Sequence, residues 1–162
     1  MAPRTLYARR DLLNGDEFVA WFKAEGFKTC LLPNKIHCTI IYSKTAFSWG
    51  GPGELKPKQR LLTCRGTMRS IDRLGVEGAV VLRFESLKLQ RRCQQIKDAG
   101  GKSDYPRFKP HLTITYNAPP DLDIKKVKPF TKPLLFGPEI FKEIDPKFTT
   151  GDVAEKSRPI HV

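Results

Sequence analysis

Residues 35–42 read KIHCTIIY and residues 109–116 read KPHLTITY. Both stretches are rich in β-branched and other apolar residues, a composition that predicts two strands. Each contains a His-x-Thr-Ile motif, which begins at His37 in the first stretch and at His111 in the second. Each motif also follows a lysine by two residues and is followed by a tyrosine, so the two stretches look like copies of one device.

The spacing within each motif predicts where its polar side chains point. Residues i and i+2 of a strand lie on the same face, so His37 shares a face with Thr39, and His111 with Thr113. A single His-x-Thr in a strand usually has a packing role. The repetition favours a functional pair, in which two strands lie side by side and bring two imidazoles and two hydroxyls together.

Such a constellation suits the cleavage of a phosphodiester that has a neighbouring 2′-hydroxyl. One neutral imidazole can remove the hydroxyl proton while an imidazolium protonates the leaving 5′-oxygen. The threonine hydroxyls can donate hydrogen bonds to the non-bridging oxygens as charge develops there. Two histidines without a carboxylate or thiolate cluster are a poor ligand set for zinc or magnesium, so we predict no metal and no cofactor.

Composition narrows the possible partners and the compartment. The chain has 162 residues, which suggests one domain, and a net charge of +12, which favours a polyanionic ligand. No segment reaches the ~18 apolar residues of a transmembrane helix, and we expect no membrane partner, no signal peptide and a cytoplasmic location. The four cysteines have no paired spacing and are predicted to be free thiols. Cys38 should face the core and not act as a nucleophile.

The order of predicted elements is β-α-β-loop-β-β-α-β-β, an α+β arrangement. We predict one domain over 1–145 and a polar, loosely attached tail over 146–162. Asn14 should cap the first helix through its side chain, and Ser86 should cap a second helix that ends near Asp98. Arg92 in that second helix is expected to be solvated. Residues 61–74 are interpreted as one strand, and residues 134–136 and 140–144 as two.

Two irregular segments carry candidate ligand-binding side chains. Residues 44–53 form a Gly-rich loop with Trp49, which is either a lid that stacks on a base or a loop tucked over the core. Residues 102–110 lie directly before the second motif and are rich in basic and aromatic side chains. Among them, Tyr105 and Lys109 are predicted to contact substrate.

The paired His-x-Thr motifs resemble those of the 2H phosphoesterase superfamily. The flanking runs LYARRDLLN (6–14), HCTIIYSKT (37–45) and FKPHLTITY (108–116) look like the phage anti-CBASS cyclic-oligonucleotide phosphodiesterases, over about residues 4–145. This resemblance implies a bilobal fold with two antiparallel sheets flanking a central groove and helices packed outside.

The resemblance also implies an activity. Such proteins hydrolyse 3′–5′ bonds next to adenosine in cyclic di- and trinucleotide messengers, through a 2′,3′-cyclic phosphate, to a linear product ending in a 3′-phosphate. Loss of the messenger blocks CBASS immunity in the cytoplasm of the infected bacterium. The expected partner is therefore the cyclic oligonucleotide substrate, without a stable nucleic-acid complex.

The family's catalytic positions match His37, Thr39, His111 and Thr113. Its base-holding aromatic residue matches Tyr7, and its adenine-reading carboxylate best matches Glu139, with Glu143 as the competitor. Two alternatives stay open. One is a generic RNA 2′,3′-cyclic phosphodiesterase or RNA-ligase-like enzyme, and the other is a nucleic-acid-binding module without enzymatic activity.

Overall fold

The computed structural model describes residues 2–74 and 79–145, together with the backbone of 157–159. Within these ranges the chain forms two α-helices, α1 (Gly15–Ala24) and α2 (Leu87–Asp98), and nine strands. The strands are β1 (Arg4–Leu12), β2 (Thr29–Leu31), β3 (His37–Phe47), β4 (Leu62–Cys64), β5 (Arg69–Leu74), β6 (Ala79–Phe84), β7 (His111–Thr115), β8 (Leu134–Lys142) and β9 (Ser157–Pro159). Neither helix is long and apolar enough to cross a bilayer.

The strands build two larger antiparallel sheets and one short ribbon. The first sheet has the order β3-β1-β8-β4, the second has the order β5-β6-β7, and β2 pairs with β9. The predicted α+β class with two antiparallel sheets is confirmed. Both motif strands, β3 and β7, are edge strands of their sheets, and they contact each other although they share no ladder.

Alternating burial along β1 defines the two faces of the four-stranded sheet. Leu6, Ala8, Arg10 and Leu12 are buried, whereas the residues between them are partly exposed. The buried side packs into the hydrophobic core, to which both helices contribute. The partly exposed side faces the groove between the sheets, and Tyr7 and Arg9 lie on it.

The second helix forms as predicted. The Ser86 hydroxyl accepts a hydrogen bond from the Leu89 N–H at 3.2 Å, and the inner face of α2 is buried. Gly100 ends the helix with φ of +121°, and a Cβ there would lie 2.9 Å from Cβ of Phe47 on β3. A side chain at this position would therefore be strained and would also clash, so glycine lets α2 end against the first motif strand.

The first helix begins where expected, but the predicted cap is wrong. The Asn14 side chain makes no capping bond. Its amide instead donates to the Pro133 carbonyl at 2.9 Å, and its carbonyl accepts from the Leu135 N–H at 3.0 Å. The side chain thus links the start of α1 to β8, a partner 119 to 121 residues away that local sequence does not reveal.

Two strand predictions also differ from the structure. The single strand predicted over 61–74 is divided into β4 and β5, which join different sheets. The two closing strands predicted near the end are one strand, β8, which continues through a buried Gly137. In the predicted tail, Ser157–Pro159 pairs with β2, and residues 146–156 and 160–162 lie outside the described residues.

Candidate active site

His37 opens β3, and both of its ring nitrogens have partners. Nδ1 lies 2.8 Å from the carbonyl oxygen of Lys35, and because a carbonyl only accepts, Nδ1 must carry a proton. Nε2 lies 2.8 Å from the Tyr7 hydroxyl. In the neutral ring Nε2 is therefore the acceptor, as a general base requires.

His111 opens β7 and repeats the arrangement at its Nδ1. That nitrogen lies 3.0 Å from the carbonyl oxygen of Lys109, again two residues upstream. The repeated Lys-x-His spacing has a structural meaning, because in each motif a backbone carbonyl selects the tautomer. In the neutral form of each ring, Nε2 is then the nitrogen without a proton.

Each motif strand carries one extra residue at the same position, three residues after its histidine. On β3, Thr39 and Ile41 pair with consecutive residues of β1, so Ile40 is the bulge. On β7, Thr113 and Thr115 pair with consecutive residues of β6, so Ile114 is the bulge. A bulge reverses the alternation of faces, and the tyrosine five residues after each histidine therefore follows the histidine and threonine to the groove.

The two motifs meet at their first residues. Cys38 is fully buried, as predicted, and it lies close enough to β7 for the backbone of His111 to lower the pKa of its thiol slightly against the effect of burial. Burial raises the pKa of this thiol to about 12, so a thiolate nucleophile is disfavoured. On the opposite face, His37 and His111 are close enough for the second ring to lower the pKa of the first.

The pKa of both histidines lies below the ordinary value. Burial is the main cause for His37, opposed by the hydrogen bond to Lys35; Arg9 and His111 lower it further and Asp11 raises it. For His111, burial again dominates and Arg83 adds to it, against the hydrogen bond to Lys109. Near neutral pH both rings therefore favour the neutral form.

An arginine–carboxylate pair flanks each histidine. Arg9 Nε lies 3.0 Å from Asp11 Oδ1, and Asp11 is the cross-strand neighbour of His37. Arg83 Nε lies 2.8 Å from Asp72 Oδ2, and Arg83 is the cross-strand neighbour of His111. Sequence reasoning did not assign these four residues a role. The alternation of side chains along β1 could have placed Arg9 on the same face as Tyr7. Arg83 lies within an apolar run, which gave no such signal.

A tyrosine lies beside the threonine of each motif. The Tyr7 hydroxyl on β1 lies 2.8 Å from His37 Nε2, and the nearby Thr39 side chain lowers the pKa of this phenol. Tyr116 lies just after β7, and the nearby Thr113 side chain lowers the pKa of its phenol. Burial raises the pKa of both phenols, so both hydroxyls keep their protons at neutral pH.

Glu139 lies on the other face of the sheet from the histidines. It pairs across the ladder with the buried Arg10, and its side chain is only 1% exposed. Arg92 donates to both carboxylate oxygens at 2.9–3.1 Å, and the Lys58 N–H donates to Oε1 at 2.8 Å. This placement contradicts the prediction that Glu139 reads a base in the groove. The expectation that Arg92 is solvated is wrong for the same reason.

Trp49 is part of the core. It is 5% exposed, its indole N–H bonds to the carbonyl oxygens of Arg4 and Thr5, and the Arg4 guanidinium lies 3.5 Å from the ring centroid. Of the two predicted arrangements, the structure has the loop tucked over the core. A base could reach the indole only after this packing had been undone.

The remaining predicted contacts lie at the surface. Tyr105 is 75% exposed in the segment before β7, and the Lys109 side chain is exposed while its carbonyl orients His111. Glu143, the competing carboxylate, is exposed just after β8. Among residues 2–74 and 79–145, no three His, Cys, Asp or Glu side chains are grouped so that they could hold a metal ion.

Comparison with known proteins gives two kinds of match. A family model described as "Anti-CBASS protein Acb1" matches residues 4–151. Two curated proteins of that name, from Caulobacter sp. (strain RHG1) and Sphingomonas paeninsulae, are 42% and 43% identical over 145 and 147 residues. Each alignment covers 88% of this chain but 23% of the relative, so the chain spans less than a quarter of those relatives.

Solved structures share the fold at low sequence identity. A crystal structure described as a phosphoesterase matches with a TM-score of 0.61 at 16% identity. The match covers 99% of this chain and 97% of that chain. Escherichia coli LigT in its apo form has a TM-score of 0.57 at 18% identity, with 99% and 96% coverage. The bilobal 2H phosphoesterase fold implied by the paired motifs is therefore confirmed.

Proposed function

The chain belongs to the anti-CBASS Acb1 family, and from that premise we propose that it is a metal-independent phosphodiesterase. Its substrates are cyclic di- and trinucleotide messengers such as 3′,3′-cyclic GMP-AMP, cyclic di-AMP and cyclic tri-AMP. It cuts the 3′–5′ bond next to adenosine and so removes the signal that activates CBASS immunity. The site of action is the cytoplasm of the infected cell.

The matched geometry of the two histidines is the observation that carries this proposal. In each ring a backbone carbonyl holds Nδ1, so the proton-exchanging Nε2 is defined before substrate arrives. An enzyme that needs one base and one acid gains from two such rings at the junction of two lobes. A packing role would not require the same tautomer control twice.

The reaction balances with these groups alone. One neutral Nε2 takes the proton of the 2′-hydroxyl, whose oxygen attacks phosphorus as the bond to the 5′-oxygen breaks. The other, protonated ring gives its proton to that 5′-oxygen, and a 2′,3′-cyclic phosphate forms. Water then opens the ring with the proton transfers reversed, which leaves a 3′-phosphate. Thr39 and Thr113 donate to the non-bridging oxygens.

Substrate binding is assigned to side chains at the groove and its rim. The Tyr7 ring, Tyr105 and Lys109 are proposed contacts for base and phosphate. Glu143 is the exposed carboxylate that can accept from the exocyclic amine of adenine, whereas guanine has the O6 carbonyl at that position, to which an ionised carboxylate cannot donate. Preference for adenine-containing rings then follows from hydrogen bonding, because stacking alone tolerates every base.

A turnover panel in EDTA tests the proposal. The substrates are cyclic di-AMP, 3′,3′-cyclic GMP-AMP, cyclic tri-AMP, cyclic di-GMP and an RNA ending in a 2′,3′-cyclic phosphate. We expect cleavage of the adenine-containing rings, no cleavage of cyclic di-GMP, and loss of activity in a His37→Ala/His111→Ala control. Loss of turnover in chelator with recovery on adding a divalent ion would contradict the metal-free mechanism.

The net charge of +12 fits RNA as well as a cyclic oligonucleotide, and the same panel separates the two alternatives from the proposal. Opening of the RNA end with no cleavage of any cyclic ring would identify a generic RNA 2′,3′-cyclic phosphodiesterase. Tight RNA binding without turnover of any phosphodiester would identify a binding module.

A further inference from the structure

Two arginines lie directly opposite motif residues, one in each of the two larger sheets. Arg9 of β1 is the cross-strand partner of Thr39, and Arg83 of β6 is the cross-strand partner of His111. Directly opposite residues of a sheet point to the same face, with Cβ atoms roughly 4.5–5.5 Å apart. An extended arginine side chain spans more than this separation, so each guanidinium can reach a ligand that is held beside the histidines.

An aspartate holds each of these arginines at the same atom. Arg9 Nε donates to Asp11 Oδ1 at 3.0 Å, and Arg83 Nε lies 2.8 Å from Asp72 Oδ2. Nε carries one of the five N–H donors of a guanidinium. Within residues 2–74 and 79–145, the Nη atoms of Arg9 and Arg83 have no hydrogen-bond acceptor, and both side chains are partly exposed. Each aspartate therefore orients a guanidinium whose four Nη–H donors are available to a ligand.

Other arginines of these sheets and of α2 use their Nη atoms inside the protein. Arg10 and Arg73 donate through an Nη atom to backbone carbonyl oxygens at 2.7–3.0 Å. Arg92 donates through Nη2 to the Glu139 carboxylate at 2.9 Å. Those guanidinium groups connect parts of the chain. A partly exposed ion pair contributes little to stability, so stability alone does not explain a matching Arg–Asp pair beside both motifs.

We propose that Arg9 and Arg83 bind the phosphate groups of the cyclic substrate that are not being cut. This inference rests on the proposed function, since a cyclic dinucleotide has one such phosphate and a cyclic trinucleotide has two. The histidines engage the scissile phosphate from the two edge strands, and each arginine lies one strand further into its sheet. A planar guanidinium with two free Nη atoms matches two oxygens of a phosphate in a bidentate pair.

The number of phosphate groups then becomes a determinant of specificity. The linear dinucleotide ApA has the same 3′–5′ bond and 2′-hydroxyl as cyclic di-AMP but only one phosphate. Removal of an arginine should therefore cost the cyclic substrates more than it costs ApA. Arg9 and Arg83 also lower the pKa of His37 and of His111. That effect on the histidines is common to all substrates, so it cancels in the ratio of their rates.

The first experiment measures anion binding without turnover. Pyrophosphate is titrated into the full chain while the Nε–H signals of the arginines are followed by NMR. We expect saturable shifts for Arg9 and Arg83, and an affinity loss of about tenfold or more in Arg9→Gln and in Arg83→Gln.

Two control variants separate a binding site from net charge. Arg73→Gln removes a guanidinium that is already bonded to carbonyl oxygens, and Lys44→Gln removes an exposed cation without breaking a buried bond. Both should leave the affinity for pyrophosphate unchanged. A loss in the controls as large as in Arg9→Gln and Arg83→Gln would make the effect one of net charge and would overturn the inference.

The second experiment compares kcat/KM for ApA, cyclic di-AMP and cyclic tri-AMP. The ratio of cyclic tri-AMP to ApA should fall about 10- to 100-fold in Arg9→Gln and in Arg83→Gln, the loss typical of a hydrogen bond to a charged group. The ratio of cyclic di-AMP to ApA should fall in at least one of them. Arg9→Lys and Arg83→Lys keep the charge but lose the bidentate geometry, so they should recover only part of the loss.

The outcomes distinguish this inference from the proposed function. An unchanged ratio of cyclic tri-AMP to ApA in either glutamine variant would overturn the role of that arginine, even if the rates on both substrates fell together. If none of the three substrates is cut, the proposed function fails. The pyrophosphate titration then still decides whether Arg9 and Arg83 bind phosphate groups.

Discussion

Each face of the four-stranded sheet carries a polar cluster, and the two clusters differ in the kind of groups that their hydrogen bonds join. On the helix-covered face, Glu139 is bound by Arg92 and paired more distantly with Arg10 at 3.9 Å. On the groove face, His37 and Tyr7 are also hydrogen-bonded, yet their bond joins a hydroxyl to an imidazole nitrogen, two groups that can gain or lose a proton.

That difference separates a cluster that organises the fold from one that can do chemistry. A buried, fully bonded ion pair contributes mainly by avoiding unpaired charge, whereas titratable groups in a groove with shifted pKa values are candidates for catalysis. Consecutive residues of β1 serve the two clusters, since Arg9 faces the groove and Arg10 faces the core. A shift of one residue in the pairing register of β1 would place Arg9 in the core and Arg10 on the groove face.

The largest expected effect belongs to the groove face. Replacing His37 or His111 with Ala should lower turnover about 10²–10⁴-fold, because each removes one proton-transfer group. The free energy of unfolding should change by only about 1 kcal/mol, the typical effect of a point substitution. Rates on cyclic di-AMP and urea unfolding measure both quantities. A variant of either residue with near-normal turnover would remove that histidine from the mechanism.

The opposite face should show the reverse pattern. Glu139→Gln leaves the buried Arg92 without its ionic partner and should lower the free energy of unfolding by about 3–5 kcal/mol. Preference for adenine over guanine should not change, since the residue lies outside the groove. Glu143→Gln is the matched control: it should leave stability nearly unchanged and narrow the base preference. If instead Glu139→Gln narrowed that preference, the side chain would have to reach the substrate.

A smaller effect concerns the cations that flank the histidines. Arg83 lowers the pKa of His111 and Arg9 lowers that of His37. Arg83→Gln should therefore move the His111 limb of the pH profile of kcat/KM to higher pH, and Arg9→Gln should do the same for the His37 limb. If the bell-shaped pH profile becomes narrower, the affected histidine acts as the base. If the profile becomes wider, that histidine acts as the acid. Lys44→Gln removes an exposed cation paired with Asp104 and should move neither limb.

The smallest effect is on stability as a function of pH. Because the pKa of His37 and of His111 is lowered by folding, the unfolded chain binds more protons just below the ordinary value of 6.5. The free energy of unfolding should therefore fall as pH drops through the range between the ordinary and the lowered values. Urea unfolding at about pH 7.5 and about pH 5.5 measures it. His37→Gln/His111→Gln should flatten this dependence, and an unchanged slope would show that other groups cause it.

Several features of the protein could be predicted from local sequence. The two His-x-Thr motifs, the cap of α2 at Ser86 and the burial of Cys38 all depend on residues within a few positions of one another. Strand alternation and capping act over that distance, so sequence alone predicted that each histidine shares a strand face with its threonine and where α2 begins.

The partners across the fold were decided by tertiary structure. The order β3-β1-β8-β4 brings Arg92 of α2 to Glu139, and Tyr7 to His37, from positions 47 and 30 residues apart. Such pairs depend on sheet order and on bulges, which no local pattern at either residue encodes. A carboxylate on a predicted strand looks the same in sequence whether it faces a groove or a buried arginine. Sequence alone therefore determined the two His-x-Thr motifs, and only the folded sheet decided which side chains surround them.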